Sequence, residues 1–234
     1  MKLNESAVVC IILASCLFSG TTYLAAGNDL TSEANVTFKA NTKPIRPVDP
    51  GEGEEIEENR PPTEGPLSIN YASNLEFGKQ KKALGEQVFY AQNDQITVAS
   101  TKELKTVPNF VQITDLRGTA SGWRLSVKQN GPLKKQNGAK LTGSSIVISA
   151  GNVESMYGFP DKPTGLKKNQ LLLEDGQSHE ILNAEPGTGV STWNIYLGKS
   201  GDLSSGIRLI VPDEGVPEVG RYQTSLTWVL TDAL

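Results

Sequence analysis

From residue 67 to the end, the chain is a series of short alternating runs divided by turn dipeptides. Leu67, Ile69 and Tyr71 alternate with polar neighbours. Phe110, Gln112 and Thr114 oppose Val111 and Ile113, and Trp123, Leu125 and Val127 share one face, as do Tyr222, Thr224, Leu226, Trp228 and Leu230. A period of two sends successive side chains to opposite faces of a strand, so each run is a candidate strand with one buried face. Further runs lie at residues 88–91, 96–98, 145–150, 180–182, 192–197 and 207–211. Between them stand Asn130-Gly131-Pro132, Asn137-Gly138, Asp175-Gly176, Pro186-Gly187 and Asp213-Glu214-Gly215. Asn-Gly and Asp-Gly suit tight hairpins because these residues tolerate positive φ. No stretch has a helical period. The pattern predicts an all-β protein, an antiparallel β-sandwich of about ten short strands.

The preceding residues have a different character. Residues 1–26 read as a signal peptide: Lys2, a mostly apolar run over residues 7–18, then small residues ending at Ala25-Ala26. Leu13-Ala14-Ser15-Cys16 offers a rival reading, a lipobox with Cys16 as the lipidated residue, although Leu17 and Phe18 after it are apolar. Both cysteines, Cys10 and Cys16, lie in this segment, so a chain cut after Ala26 has no disulfide, thiol nucleophile or cysteine metal site. Residues 27–40 hold a short alternating segment, Asn35-Val36-Thr37-Phe38-Lys39, read as an N-terminal strand that belongs with the main domain. Residues 41–66 carry six prolines and the acidic run from Glu52 to Glu58. A stretch with so little to bury is expected to be a disordered loop or linker.

Charge and chemistry narrow the function. The net charge is −4, but seven acidic and three basic residues fall within residues 41–66, so the remainder is nearly neutral. That balance argues against a nucleic-acid partner, which needs a surplus of Lys and Arg. His179 is the lone histidine, and no EF-hand spacing, P-loop, dinucleotide fingerprint or Gly-x-Ser-x-Gly elbow occurs. No catalytic residue, metal site or cofactor is assigned. Lys79, Lys81 and Lys82, with Lys134, Lys135, Lys167 and Lys168, sit in loop contexts and are read mainly as solvated, with contact to anionic polymers or phosphates as the alternative.

The chain has three tryptophans, and two share one frame: Gly122-Trp123-Arg124-Leu125 and Leu226-Thr227-Trp228-Val229-Leu230. With Gly65-Pro66-Leu67 through Phe77-Gly78, and Thr192-Trp193-Asn194-Ile195-Tyr196-Leu197-Gly198, these stretches resemble the WxL domain of surface proteins from low-GC Gram-positive bacteria. The resemblance covers residues 67–234. Leu197-Gly198 departs mildly from the aromatic-Gly frequent there. No LPxTG-type sorting signal is present.

The resemblance implies a secreted, non-enzymatic protein retained non-covalently at the cell wall through a domain that binds peptidoglycan. It also implies partners: other WxL proteins, a membrane-anchored WxL-interacting protein, and a host surface ligand contacted by the assembled complex. An assembly subunit with little direct wall binding is the alternative, and a wall-active hydrolase the remote one. The motif residues are Gly122, Trp123, Leu125, Leu226, Trp228 and Leu230. Their alternation favours two core strands of one sandwich with indoles turned inward; an exposed wall-binding face is the alternative.

Overall fold

The computed structural model describes residues 30, 32–81, 83–198, 206–213 and 218–233. The segment read as a signal peptide, with both cysteines, together with Lys82, Glu214 and Gly215, lies outside the described residues. Residues 39–234 form one compact unit. Its described strands are β1 (Leu67–Ala72), β2 (Gln87–Tyr90), β3 (Asp94–Thr97), β4 (Leu104–Val107), β5 (Phe110–Asp115), β6 (Trp123–Gln129), β7 (Ser145–Ile148), β8 (Ala150–Ser155), β9 (Gln170–Leu172), β10 (Ser178–Ala184), β11 (Ser191–Leu197), β12 (Ile207–Val211) and β13 (Leu226–Asp232). They make four antiparallel sheets, ordered β1-β5-β11-β8, β10-β6-β13, β2-β12-β7-β9 and β3-β4.

The inward faces meet in one main core. Val111 and Ile113 from β5, Trp123, Leu125 and Val127 from β6, Ile146 and Ile148 from β7, and Trp193 and Ile195 from β11 all pack into it. A smaller cluster lies on the other face of the β1-β5-β11-β8 sheet, where Ile56, Tyr71, Ile96, Val107 and Phe110 gather with Tyr196 against them. The Tyr71 and Phe110 rings stack there with centroids 4.7 Å apart. β5 therefore has both faces covered, and all six of its residues are buried.

Several local expectations change. Tyr71 does not share a face with Leu67 and Ile69: a register shift between Ile69 and Tyr71 moves it to the second cluster, because a bulge inverts the alternation beyond it. The apolar run at residues 145–150 is two strands, β7 and β8, which leave Ser149 toward different sheets. β4 and β9, short and carrying Lys105 or Gln170 among their few residues, lack a readable period. The turn dipeptides mostly do not close hairpins. Asp175-Gly176 joins β9 to β10, and Pro186-Gly187 joins β10 to β11, each step passing from one sheet to another. Among the described strands only β3 and β4 are both consecutive and paired.

Residues 35–39 form no strand, and the side chains of Val36 and Phe38 are 75% and 88% exposed. Alternation makes a strand only where a neighbour completes the ladder, and no described ladder includes this segment. The Pro/Glu-rich segment contains no strand either, but residues 47–57 are seated on the domain rather than free. Val48 bridges Glu55 and Ile56 bridges Val98, while Ile56 is buried in the second cluster. This strap has two anchors unavailable to a free polar chain: an apolar side chain to bury, and lysines on the β3–β4 hairpin to pair with its acids. Lys102 pairs with Glu57, and Lys105 with Asp49 and Glu54 at 3.0 and 3.3 Å and with Glu52.

Candidate functional site

The two Trp-x-Leu frames are neighbours in space. β6 and β13 pair antiparallel, with Val127 opposite Trp228, Leu125 opposite Leu230, and Trp123 opposite Asp232. Directly opposed residues project to the same face, so both indoles and the leucines Leu125, Leu226 and Leu230 face the main core. The frames differ in depth. β6 is the middle strand of its sheet and β13 is an edge. Trp123 and Leu125 are fully buried, whereas Leu226, Trp228 and Leu230 are partly exposed.

Trp123 is locked by a polar contact as well as by packing: its Nε1–H donates to the Gly189 carbonyl at 3.0 Å. Gly122 before it is required. Its φ is +79°, and a Cβ there would overlap the Ala184 carbonyl oxygen on β10. Arg117 binds the ends of both frames together. Its guanidinium donates to Asp115 through Nε at 2.9 Å and Nη2 at 2.7 Å, to the Gly122 carbonyl at 2.8 Å, and forms an ion pair with Asp232. The third tryptophan, Trp193, is buried on β11 and donates Nε1–H to the Val190 carbonyl at 2.8 Å. Neither Trp123 nor Trp193 has a ring face free to stack on a sugar.

Other polar groups gather on the opposite side. The outward face of β1, β5 and β11 bears Ser68, Asn70, Gln112, Thr114, Thr192 and Asn194, all buried. Asn70 Nδ2 donates to Thr114 Oγ1 at 2.7 Å, the Thr114 and Thr192 hydroxyls lie 2.8 Å apart, and Gln112 Nε2 donates to Asn194 Oδ1 at 2.8 Å. The strap lies over Gln112 and Asn194 of this row. Burial raises the Tyr196 phenol to about 12, with the Glu154 carboxylate adding to the effect, so its hydroxyl stays a neutral donor at physiological pH. Burial and then a hydrogen bond to Asp94 also push Tyr71 upward.

Asp49, Glu52 and Glu54 bring carboxylate oxygens within 4.8 Å of one another. The Lys105 ammonium sits among them, and the Glu52 and Asp49 carboxylates hold it above the usual lysine range. The cluster is thus an ionic latch between strap and hairpin. Of the lysines considered from sequence, Lys135 pairs with Glu218 at 3.0 Å and Lys167 with Glu180 at 3.6 Å. His179 Nε2 is buried without a partner on β10. The polar row, the Arg117 clamp and the latch were not recognised from sequence. The first left a trace, since Gln112-x-Thr114 and Thr192-x-Asn194 put hydroxyl and amide groups on alternate positions of strands whose other faces are apolar.

Layered antiparallel sheets in which two Trp-x-Leu strands pair define an all-β module. The chain belongs to the WxL family, described as a WxL domain, surface cell wall-binding, whose match covers residues 25–233. It is a surface protein associated with the cell wall. No curated protein matches the chain.

Proposed function

We propose that the protein is an exported, non-catalytic surface component, held non-covalently on the wall because its WxL domain binds peptidoglycan. The family match over nearly the whole chain carries this reading. The geometry supports a binding role over catalysis. Hydrolysis of a glycosidic bond needs two carboxyl groups with separated acid and base roles, whereas Asp49, Glu52 and Glu54 share one ammonium. The motif residues Gly122, Trp123 and Leu125 then act by building the domain, and the surface that meets the wall lies elsewhere on it. The test is retention of the purified chain on insoluble peptidoglycan. Retention above that of an unrelated folded domain is expected, and retention equal to it removes the direct wall contact.

The edge strand favours a second reading. β13 pairs on one side only among the described strands, and Leu226, Trp228 and Leu230 are partly exposed along it. An unpaired edge with apolar side chains suits strand addition by another protein. In this reading the chain is an assembly subunit. It joins other WxL proteins and a membrane-anchored WxL-interacting protein in a surface complex that meets a host ligand. Pull-down with the extracellular part of such a partner separates the readings: tight partner binding with no retention on bare peptidoglycan selects the second.

A further inference from the structure

The polar row on the outward face of the β1-β5-β11-β8 sheet already holds a peptide, which is the strap. Gln112 grips Val48 at both backbone groups: its Oε1 accepts from the Val48 N–H, and its Nε2 donates to the Val48 carbonyl, each at 3.0 Å. Asn194 Nδ2 and the Tyr196 hydroxyl both donate to the Pro50 carbonyl at 3.4 Å. Side-chain amides here act as a rung of a β-ladder does, reading main chain without regard to side chain. The strap then turns back on itself, with Gly51 N–H donating to Asp49 Oδ1 at 2.8 Å and Gly53 N–H to the Asp49 carbonyl at 2.9 Å.

The row of side chains does not stop where the strap turns. Across the β11–β8 ladder, Asn194 stands opposite Glu154 and Tyr196 opposite Asn152. A cleft of about 760 Å³ opens over these residues, walled by Asp49 and Pro50 of the strap on one side and by Lys168 and Asn169 on the other. Asn152 Nδ2 donates to Glu154 Oε1 at 2.7 Å, and Asn152 Oδ1 accepts from the Val153 N–H at 2.9 Å and from Lys162 Nζ at 3.0 Å. Both side chains are exposed, so a ligand would exchange with these contacts. The cleft is therefore a continuation of the surface that binds the strap, with the same kinds of group and one shared residue, Tyr196.

We propose that this cleft binds a short peptide in extended conformation, its main chain held by Asn152, Glu154 and Tyr196 as Gln112 holds Val48, and that the peptide is a stem of the wall polymer. The choice of ligand rests on the peptidoglycan reading given above. Two observations favour peptide over the other wall chemistries. Among the described residues the one aromatic side chain lining the cleft is Tyr196, whose ring packs against the second cluster and is only partly exposed, a poor platform for stacking a pyranose. Among the described residues the lining has one lysine, Lys168, and two carboxylates, Asp49 and Glu154; Lys105 sits on Asp49, and Lys162 Nζ donates to Asn152 Oδ1 at 3.0 Å. Cations and carboxylates are thus mixed along the cleft, which suits a zwitterionic peptide and not a polyanion.

Titration of the full isotope-labelled chain, followed by amide chemical shifts, tests this. The probes are a synthetic L-Ala-γ-D-Glu-L-Lys-D-Ala stem peptide and a peptide-free N-acetylglucosamine tetramer. The stem peptide is expected to shift Asn152, Glu154, Asn169 and Tyr196, and the sugar to leave them in place. Asn152→Ala combined with Glu154→Gln is expected to weaken peptide binding by about tenfold or more at an unchanged melting temperature. Tyr196→Phe, which removes only the hydroxyl, is expected to weaken it less. Shifts that map elsewhere, or that the sugar alone produces, overturn the proposal. Failure of the wall reading looks different: the wild-type chain is then not retained on peptidoglycan. If the double variant is retained as well as the wild type and the stem peptide leaves the cleft unshifted, the cleft assignment falls and wall binding stands.

Discussion

Trp123 and Trp228 occupy the same three-residue frame and face the same core, yet one is sealed and the other half-open. The difference comes from neighbours. Trp123 lies on β6, flanked by β10 and β13, with its N–H satisfied by Gly189. Trp228 lies on β13, which among the described strands has a neighbour on one side only. A repeated motif need not be a repeated environment: strand position within a sheet decides how much of an indole leaves water.

The comparison can be broken at four points. The largest effect is expected for Trp123→Ala, about 3–5 kcal/mol of stability from cavity formation at a fully buried site, read by denaturant unfolding. A loss as small as that at the edge would end the distinction. Arg117→Ala comes next, up to about 3 kcal/mol, because it strands the buried Asp115 carboxylate and unfastens Gly122 and Asp232 together; thermal melts measure it. Trp228→Ala is expected to cost about 1–2 kcal/mol, since only part of the side chain is removed from water. Acrylamide should quench Trp228 fluorescence while Trp123 and Trp193 resist, so the variant should lose the quenchable fraction. The smallest effect lies outside both motifs. Burial alone would raise the Glu58 carboxyl, but its hydrogen bond and charge pairing with Arg60 outweigh this and hold it below the usual range. A depressed carboxyl stabilises the fold above its ordinary range, and the benefit vanishes as pH falls through the depressed value. Glu58→Gln should therefore destabilise by less than about 1 kcal/mol near neutrality and by nothing measurable in strong acid. A difference that persists in acid would assign the effect to packing.

The main core was legible because it obeys one rule. Trp123, Leu125 and Val127, and likewise Trp193 and Ile195, alternate cleanly, and each run became a strand with that face inward. Features needing two distant segments at once were not legible. Gln112 meets Val48 across 64 residues, and Lys105 meets Asp49 across 56; nothing local in either sequence marks its partner. Tyr71 was misplaced because a bulge has no signature in the alternation it interrupts. The segment at residues 35–39 has the composition of a strand but no described ladder to join. Trp228 was partly legible: its alternation gave the face, but edge position depends on topology.

The wiring between sheets has a consequence for lifetime. Nearly every ladder joins strands distant in sequence, and consecutive strands rarely pair. Folding must close long loops before most contacts form, which slows it. By the same logic, once the sheets have interleaved, no single strand peels away without disturbing partners far along the chain. From residue 27 onward the sequence contains no cysteine, so no disulfide ties these strands together. The interleaving instead favours a high unfolding barrier, a kinetic property measured as a half-life and not as an equilibrium free energy.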